Sequence, residues 1–177
     1  RAMASITGTS GADTINPAFV SVGGQPFPTD AADSIAGLGG NDSLDGGGGA
    51  DTINGGAGND PILGNDGDDV LEGGAGGDFL NGGDGNDWAS YANATAGLVA
   101  SLVGIGQNTG EAAGDSYALV ENIRGSAHGD TLIGDTGANH LEGGGGNDRL
   151  VSGIGTLADT LDGGAGAAIQ RIRQGAD

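Results

Sequence analysis

Cysteine and lysine are absent from the 177 residues of this sequence, and aromatic side chains make up only 3% of it. Without cysteine the chain forms neither a disulfide bond nor a zinc–thiolate site. With arginine as its only basic residue, five times in all, it has no basic cluster to bind nucleic acid or an anionic membrane surface. No stretch approaches the ~20 apolar residues of a membrane-spanning helix. Residues 1–5 carry no apolar run that would indicate a Sec signal peptide.

Glycine and aspartate are the residues in excess. Glycine occurs 42 times, and the 24 acidic residues, of which 20 are aspartate, give a formal net charge of -19. High charge with few large apolar side chains usually leaves a chain disordered, because burial cannot offset the entropy lost on ordering. A folded state of this chain therefore requires a cation that neutralises the carboxylates.

A nine-residue repeat of the form GGxGxDxUx, in which U is aliphatic, occupies the middle of the chain. Six copies follow one another from residue 37 and read GLGGNDSLD, GGGGADTIN, GGAGNDPIL, GNDGDDVLE, GGAGGDFLN and GGDGNDWAS. The eighth position is Leu or Ile in five copies and Ala89 in the last. Tandem copies with the aspartate and the aliphatic residue both in phase predict a repeat architecture rather than a linker.

A second block of repeats starts at residue 125 and reads GSAHGDTLI, GDTGANHLE and GGGGNDRLV; after a two-residue insertion, IGTLADTLD places Asp159 in phase. The next copy has Ala168 in the aspartate position, so the array decays there. Near the N-terminus GTSGADTIN is a single copy, and its Asp13 precedes Asp33 by two repeats plus two positions. The predicted organisation is N-terminal partial repeats over 1–36, a first array over 37–90, a spacer over 91–124, a second array over 125–166 and a tail or degenerate cap over 167–177.

Each repeat predicts a turn followed by a very short strand. Consecutive glycines reach the φ > 0 conformations that are closed to other residues, and the strand points one aliphatic side chain inward. Two repeats make one coil with a strand on each side, and stacked coils form two parallel sheets around an aliphatic core. In the spacer, the apolar runs Gly97–Ile105 and Tyr117–Ile123 predict two further strands. The predicted fold is all-β, a parallel β-roll (β-solenoid) in two arrays joined by a β-stranded spacer.

Calcium is the cation that this pattern favours. It is a hard ion that takes six to eight oxygen ligands in flexible geometry, and the repeat offers aspartate carboxylates beside the backbone carbonyls of glycine turns. Aspartates two repeats apart lie on neighbouring coils, so one ion between them would cancel both charges. The pairs formed in this way, the last of them across the insertion, are Asp33/Asp51, Asp51/Asp69, Asp69/Asp87, Asp42/Asp60, Asp60/Asp78, Asp130/Asp148 and Asn139/Asp159. Because Asn139 keeps an oxygen but lacks the charge, weaker binding is expected there, and Asn139→Asp is expected to tighten it.

The copies GGAGND, GGAGGD and GGDGND resemble the hemolysin-type calcium-binding repeat of RTX (repeats-in-toxin) proteins. The resemblance implies a calcium-bound parallel β-roll whose ligands are aspartate carboxylates and glycine-turn carbonyls. From the pairs above, roughly six to eight ions are expected. The side-chain ligands that it implies are Asp13, Asp33, Asp42, Asp51, Asp60, Asp69, Asp78, Asp87, Asp130, Asn139, Asp148 and Asp159. The glycines that it implies are Gly37, Gly39, Gly46, Gly47, Gly48, Gly49, Gly55, Gly56, Gly58, Gly64, Gly67, Gly73, Gly74, Gly76, Gly82, Gly83, Gly85, Gly143, Gly144 and Gly146.

The segment LVENIRGSAHGDTLIGDTGANHLEGGGGND also resembles the C-terminal domain of serralysin-type secreted metalloproteases, but the sequence has no HExxH motif, so that activity is not expected in this chain. The RTX resemblance implies export by a type I secretion channel and an extracellular or cell-surface location. Two alternatives stay open: a structural, adhesive or polysaccharide-binding surface module, and a non-catalytic fragment of a larger secreted hydrolase. The seventh positions range from Ser43 to Trp88, which argues against a uniform ice-binding face.

Several other side chains could carry a role of their own, but a structural interpretation is favoured for each. His128 and His140 have no third zinc ligand apparent in the sequence. Phe79, Trp88 and Tyr91 are expected to pack at the junction between the first array and the spacer rather than to stack on a ligand. No enzymatic function is therefore predicted.

Overall fold

The computed structural model describes residues 4–16, 19–20, 28–104, 107–153 and 157–165; the predicted tail over 167–177 lies outside them. Within these residues the chain forms 17 β-strands and a short 3-10 helix over Gly110–Ala112. No helix in this described part is long and apolar enough to cross a membrane. The chain divides into two compact units: unit 1 holds the described residues up to Ala89 together with Asp115–Val120, and unit 2 holds Ser90–Gly114 and the described residues from Glu121 onward.

Unit 1 contains two sheets whose strands alternate along the chain. The first sheet has the order β1 (Ser5–Thr7), β4 (Ser34–Gly39), β6 (Thr52–Ala57), β8 (Val70–Ala75) and β10 (Trp88–Ser90). The second has the order β12 (Ser116–Ala118), β9 (Phe79–Asp84), β7 (Pro61–Asp66), β5 (Ser43–Gly48), β2 (Thr14–Asn16) and β3 (Phe19–Val20). These pairs are parallel, except that β2 and β3 are antiparallel.

Pairing between coils follows the two-repeat period of the sequence. Ile35 pairs with Ile53, and Ile53 with Leu71, in the first sheet, while Leu44 pairs with Ile62 in the second. The long strands cover the last three positions of one repeat and the first three of the next, so they extend further into the glycine segment than the repeat pattern predicts. The predicted parallel β-roll is confirmed.

The aliphatic residue of each repeat forms the core of the roll. Successive side chains of a strand point to opposite faces, and burial alternates accordingly along β5, β6 and β7. The eighth-position side chains of unit 1 are at most 1% exposed: Ile15, Ile35, Leu44, Ile53, Ile62, Leu71, Leu80 and Ala89. One column of aliphatic side chains from each sheet therefore fills the space between the sheets.

In most turns of the first array the second and fourth positions have a left-handed backbone. In the turn that ends at Asp51, φ is 93° at Gly47 and 104° at Gly49, values at which only glycine avoids a steric cost. The same conformation is imposed on Leu38 (φ 76°) and Asn65 (φ 75°), which stand in the second position of their repeats. These two residues therefore adopt the same turn as glycine does, at the cost of local backbone strain.

Unit 2 contains two shorter sets of parallel strands. One has the order β13 (Asn122–Arg124), β15 (His140–Glu142) and β17 (Thr160–Asp162), and the other β11 (Val99–Ser101), β14 (Thr131–Ile133) and β16 (Arg149–Val151). Leu132 pairs with Leu150, two repeats further on, whereas Leu141 pairs with Leu161, two repeats and two positions further on. The longer interval confirms the predicted two-residue insertion.

The spacer departs from its predicted strands. The run Gly97–Ile105, described as far as residue 104, contains β11. The run Tyr117–Ile123 is broken at Leu119, whose φ of 50° is left-handed. Its first part lies in β12 of unit 1, where Tyr117 pairs with Leu80, and its last part lies in β13 of unit 2. The prediction of one strand over Tyr117–Ile123 is wrong, because the left-handed backbone at Leu119 ends the first strand in the middle of an apolar run.

Candidate metal centres

Aspartates of neighbouring coils are joined by hydrogen bonds. The backbone N–H of Asp51 donates to Oδ1 of Asp69 at 2.7 Å, and that of Asp60 donates to Oδ1 of Asp78 at 2.9 Å. The same bond, 2.7 to 2.8 Å long, joins Asp33 to Asp51, Asp42 to Asp60 and Asp69 to Asp87. The aspartates that the first array predicts to be neighbours are therefore in contact, and their carboxylates form a column on each side of the roll.

The second carboxylate oxygen in these columns is buried without a hydrogen-bond donor. It is Oδ2 of Asp42, Asp51, Asp60, Asp69 and Asp148, whose side chains are at most 2% exposed. A buried polar atom with no partner costs roughly 1–3 kcal/mol, and more if it is charged. Because the arrangement recurs from coil to coil, this cost accumulates unless another group binds these oxygens.

The first glycine of each repeat leaves space beside this oxygen. A Cβ at Gly64 would contact Oδ2 of Asp69 and would lie 2.6 Å from the carbonyl oxygen of Gly82. The same convergence of a carboxylate oxygen and a carbonyl oxygen occurs at Gly37, Gly46, Gly55 and Gly125. Any larger residue would fill this cradle, so the first position of these turns requires glycine for room, whereas left-handed second and fourth positions favour it for backbone conformation.

The buried carboxylates repel one another. Burial raises the pKa of Asp51 to about 7, and the negative charges of Asp69 and Asp33 add to the shift. Burial likewise raises the pKa of Asp69 to about 6, with a further contribution from the charge of Asp87. Burial also raises the pKa of Asp42, Asp60 and Asp148. A cation at these oxygens would favour the ionised form and reverse the shifts.

The ligand chemistry of the turns fits a hard cation. In the described part of the chain, no group of three or more His, Cys, Asp or Glu side chains is placed to hold a metal ion. Side chains alone therefore do not complete a site, and the carbonyl oxygens that converge with Oδ2 would supply further ligands. An all-oxygen set of carboxylates and carbonyls suits calcium, whereas sulfur and imidazole ligands suit softer metals.

The predicted glycines have two roles in the structure. First-position glycines bring carbonyl oxygens towards an aspartate Oδ2 of another repeat: Gly55, Gly64, Gly73, Gly82 and Gly143. Other glycines allow successive turns to stack closely, since a Cβ at Gly58 would clash with the carbonyl of Gly40, and one at Gly67 with the carbonyl of Gly49. The latter group has a structural requirement for glycine that is independent of any ligand.

The N-terminal copy is in contact with a different coil from the one that its spacing suggests. The backbone N–H of Asp13 donates to Oδ1 of Asp42 at 2.6 Å, across 29 residues. Asp33, the neighbour that the repeat spacing suggests for Asp13, instead accepts the backbone N–H of Ala4 at 2.5 Å. The segment between the first two repeats is thus long enough to move Asp13 to the opposite column.

The aspartate and asparagine pairs predicted in the second block are also in contact. The backbone N–H of Asp130 donates to Oδ1 of Asp148 at 2.9 Å. That of Asn139 donates to Oδ1 of Asp159 at 3.0 Å. Unit 2 therefore repeats the stacking of unit 1 on a smaller scale.

The repeat pattern does not predict Asp115. It extends one aspartate column of unit 1, because its Oδ1 accepts the N–H of Asp78 at 2.9 Å and its side chain is completely buried. The carbonyl of Leu119 faces Gly82 as a first-position carbonyl does elsewhere. The available signal is Asp115 with Tyr117 close behind it, but the interval from Asp78 is 37 instead of 18, which hides it from a search by period.

In the described residues the histidines belong to no group of three or more side chains that could hold a metal ion. The backbone N–H of His140 donates to Oδ1 of Asn122 at 3.0 Å, and that of His128 donates to Oγ of Ser126. Tyr91 is completely buried, as a packing residue would be, whereas Phe79 is 40% exposed.

The chain matches the family described as "RTX calcium-binding nonapeptide repeat (4 copies)" over residues 27–62, 63–89 and 124–156. These segments make up more than half of the sequence, and the chain belongs to this family. A search of the curated proteins found no match to it. The protein is therefore a calcium-binding module, and its repeats are structural rather than catalytic units.

Proposed function

We propose that the chain is a calcium-triggered folding module, disordered where calcium is scarce and folded where calcium is plentiful. The observation that carries this proposal is the column of buried carboxylates whose Oδ2 atoms have no hydrogen-bond donor. Calcium bound there would neutralise the carboxylates and would join neighbouring coils through their oxygens. Because sites of this kind would form only in the folded roll, the binding free energy would become folding free energy.

The charge of the chain supports the same proposal. A formal net charge of -19 opposes compaction through self-repulsion. Extracellular calcium modules commonly bind with Kd values of about 10⁻⁴ to 10⁻³ M, far above cytosolic free calcium. With such affinities the module would stay unfolded inside a cell and would fold outside it.

Circular dichroism of the full chain tests the proposal directly. The expected result is a disordered spectrum in a calcium chelator and a β-rich spectrum after calcium is restored, with magnesium at the same concentration as the control. Magnesium demands near-octahedral geometry and dehydrates reluctantly, so it should be a poor substitute. A β-rich spectrum in chelator that calcium leaves unchanged would contradict the proposal.

Export through a type I channel is a separate part of the proposal and rests on the RTX family. Such a channel passes unfolded chains, which fits a module that folds only after it reaches calcium. The test is co-expression with a type I exporter, followed by measurement of the chain in the medium. Retention of the chain in the cells would refute export through that apparatus and would leave calcium-triggered folding intact.

A further inference from the structure

Four turns in the described part of the chain close on themselves. In each, the backbone N–H of the second residue donates to the side chain of the sixth. The bonds run from Thr9 to Asp13, from Thr29 to Asp33 and from Ser126 to Asp130 at 2.6 Å, and from Asp135 to Asn139 at 2.9 Å. We call residues 8–13, 28–33, 125–130 and 134–139 the closed turns. We call the turns that end at Asp42, Asp51, Asp60, Asp69 and Asp148 the open turns. In the three closed turns that end in aspartate the accepting atom is Oδ2, the atom without a donor in the open turns.

The side chain of the second residue completes the closure. The hydroxyl oxygens of Thr9, Thr29 and Ser126 accept the N–H two residues further on at 3.0 to 3.1 Å, and Oδ1 of Asp135 does so at 2.7 Å. Oγ of Ser126 also donates to Oδ2 of Asp130 at 2.9 Å. Short side chains with an oxygen favour such local turns because they can bond to nearby backbone groups. A closed turn thus satisfies its carboxylate from its own backbone. In the turn over 125–130 the carboxylate and carbonyl oxygens still converge beside Gly125, but the carboxylate oxygen already accepts the N–H of Ser126.

The backbone of the second residue separates the two classes. In the open turns this residue is left-handed, at Leu38, Gly47, Gly56, Asn65 and Gly144. In the closed turns it is not, since Thr9, Thr29, Ser126 and Asp135 are absent from the residues with positive φ. Conversion of one class into the other therefore requires a change in the φ of this residue.

Asn139 shows that a closed turn needs no carboxylate. Its Nδ2 donates to the carbonyl oxygen of Glu121 at 2.8 Å and to Oδ1 of Asp135 at 3.1 Å, while its own Oδ1 accepts the N–H of Asp135. A neutral amide therefore satisfies the sixth position by hydrogen bonds alone. A turn that held a cation would favour the carboxylate.

We infer that the second residue of each repeat decides whether its turn takes calcium, and that the four closed turns take none. This inference rests on the proposed function, because it presupposes that the open turns bind calcium. Two closed turns, 8–13 and 28–33, are the first in unit 1, and the other two, 125–130 and 134–139, open the second block of repeats in unit 2. Each block thus begins with turns whose geometry does not depend on calcium.

Reciprocal exchanges between turns of this chain test the inference. Ser126→Gly with His128→Gly changes GSAHGD into GGAGGD, the sequence of residues 73–78, whose second residue, Gly74, is left-handed. Gly47→Thr with Gly48→Ser changes GGGGAD into GTSGAD, the sequence of residues 8–13. Position 48 has room for a side chain, because the nearest atom to a Cβ there is 3.6 Å away. Bound calcium per chain is measured at saturation by equilibrium dialysis and elemental analysis, and circular dichroism establishes that each variant folds in calcium.

The first exchange is expected to add about one bound ion per chain, and the second to remove about one. Ser126→Ala keeps the backbone N–H and is the matched control, with the ion count of the parent. The inference is overturned if S126G/H128G binds no more ions than the parent, or if folded G47T/G48S binds as many. If G47T/G48S does not fold, S126G/H128G decides alone. A parent that binds no calcium would contradict the proposed function, whereas a parent that binds calcium with counts unaffected by the exchanges would contradict only this inference.

Discussion

The backbone N–H of Asp51 donates to Oδ1 of Asp69, 2.7 Å away and 18 residues further along the chain. Asp69 in turn donates through its own N–H to Asp87. Each aspartate therefore donates a hydrogen bond to the aspartate of the next coil and accepts one from the aspartate of the previous coil. An ion bound at one turn would position the carboxylate of the neighbouring turn, which predicts that calcium-induced folding is cooperative.

Replacement of Asp69 by asparagine should weaken calcium-induced folding. The amide removes a ligand charge from a completely buried position, and loss of such an interaction costs roughly 1–3 kcal/mol. The calcium concentration at half-folding should rise about tenfold. Asp66→Asn removes the same charge from an exposed position of the same repeat and should have little effect. Equal shifts in the two variants, measured by circular dichroism titration, would show that net charge alone matters.

Gly64→Ala should weaken calcium-induced folding by a different route. Its methyl group would enter the space between Oδ2 of Asp69 and the carbonyl oxygen of Gly82. Gly48→Ala is the control, because its methyl group would have only ordinary contacts and its φ is not left-handed. Overpacking of a tight site typically costs about 1–3 kcal/mol, so the Gly64 variant should need about tenfold more calcium. If the Gly48 variant needs as much, the effect belongs to strand glycines in general.

Acid should partly replace calcium. The pKa of Asp51 is raised from 3.8 to about 7 and that of Asp69 to about 6, mainly by burial. Because the folded pKa values lie above the unfolded ones, protonation stabilises the fold; this contribution is fully present below 3.8 and is lost as the pH rises through about 6 to 7. In calcium-free buffer the folded fraction should therefore increase as the pH falls from about 7 to about 4. Circular dichroism measures it, and D51N/D69N should show a weaker pH dependence.

Leu38→Gly should stabilise the calcium-bound form. Leu38 has a φ of 76° and is 54% exposed, so it bears backbone strain and contributes little burial. Relief of that strain, less the entropy that glycine adds to the unfolded chain, should contribute about 1 kcal/mol. Thermal unfolding in saturating calcium should show a higher midpoint. Val103→Gly, at a 65% exposed residue without positive φ, should show no such gain.

Asn139→Asp should leave the number of bound calcium ions unchanged. The sequence pattern alone predicts tighter binding, but Nδ2 of Asn139 donates to the carbonyl oxygen of Glu121. A carboxylate would place one oxygen against another there and lose that bond, so thermal unfolding should begin at a lower temperature. If elemental analysis finds an additional bound ion, the sequence-based expectation of tighter calcium binding is correct instead.

The register of the roll could be predicted from the sequence because aspartate and aliphatic residue recur with the same period. Asp42 and Leu44 are followed two repeats later by Asp60 and Ile62, and both relationships reappear as a hydrogen bond and a strand pair. No shift smaller than one repeat would bury the aliphatic side chains.

Three features could not be read from the period. Asp13 stacks on Asp42 across 29 residues, and Asp78 on Asp115 across 37, because the intervening segments change the interval. The third feature is the distinction between open and closed turns, which depends on the second residue of each repeat. Serine and glycine fit the same spacing, so the distinction shows only in the structure, where the N–H of Ser126 donates to Oδ2 of Asp130.

Unit 1 consists of two separate stretches of sequence. The chain departs after Ala89, contributes Ser90–Gly114 to unit 2, and returns with Asp115–Val120 to complete a sheet beside β9. A single cleavage of the backbone therefore cannot separate the two units intact. Any cut leaves a segment of one unit attached to the other. During synthesis from the N-terminus, the last coil of unit 1 cannot form until residue 120 has been added. Unit 1 is therefore completed only after residues 90–114 of unit 2 have been made.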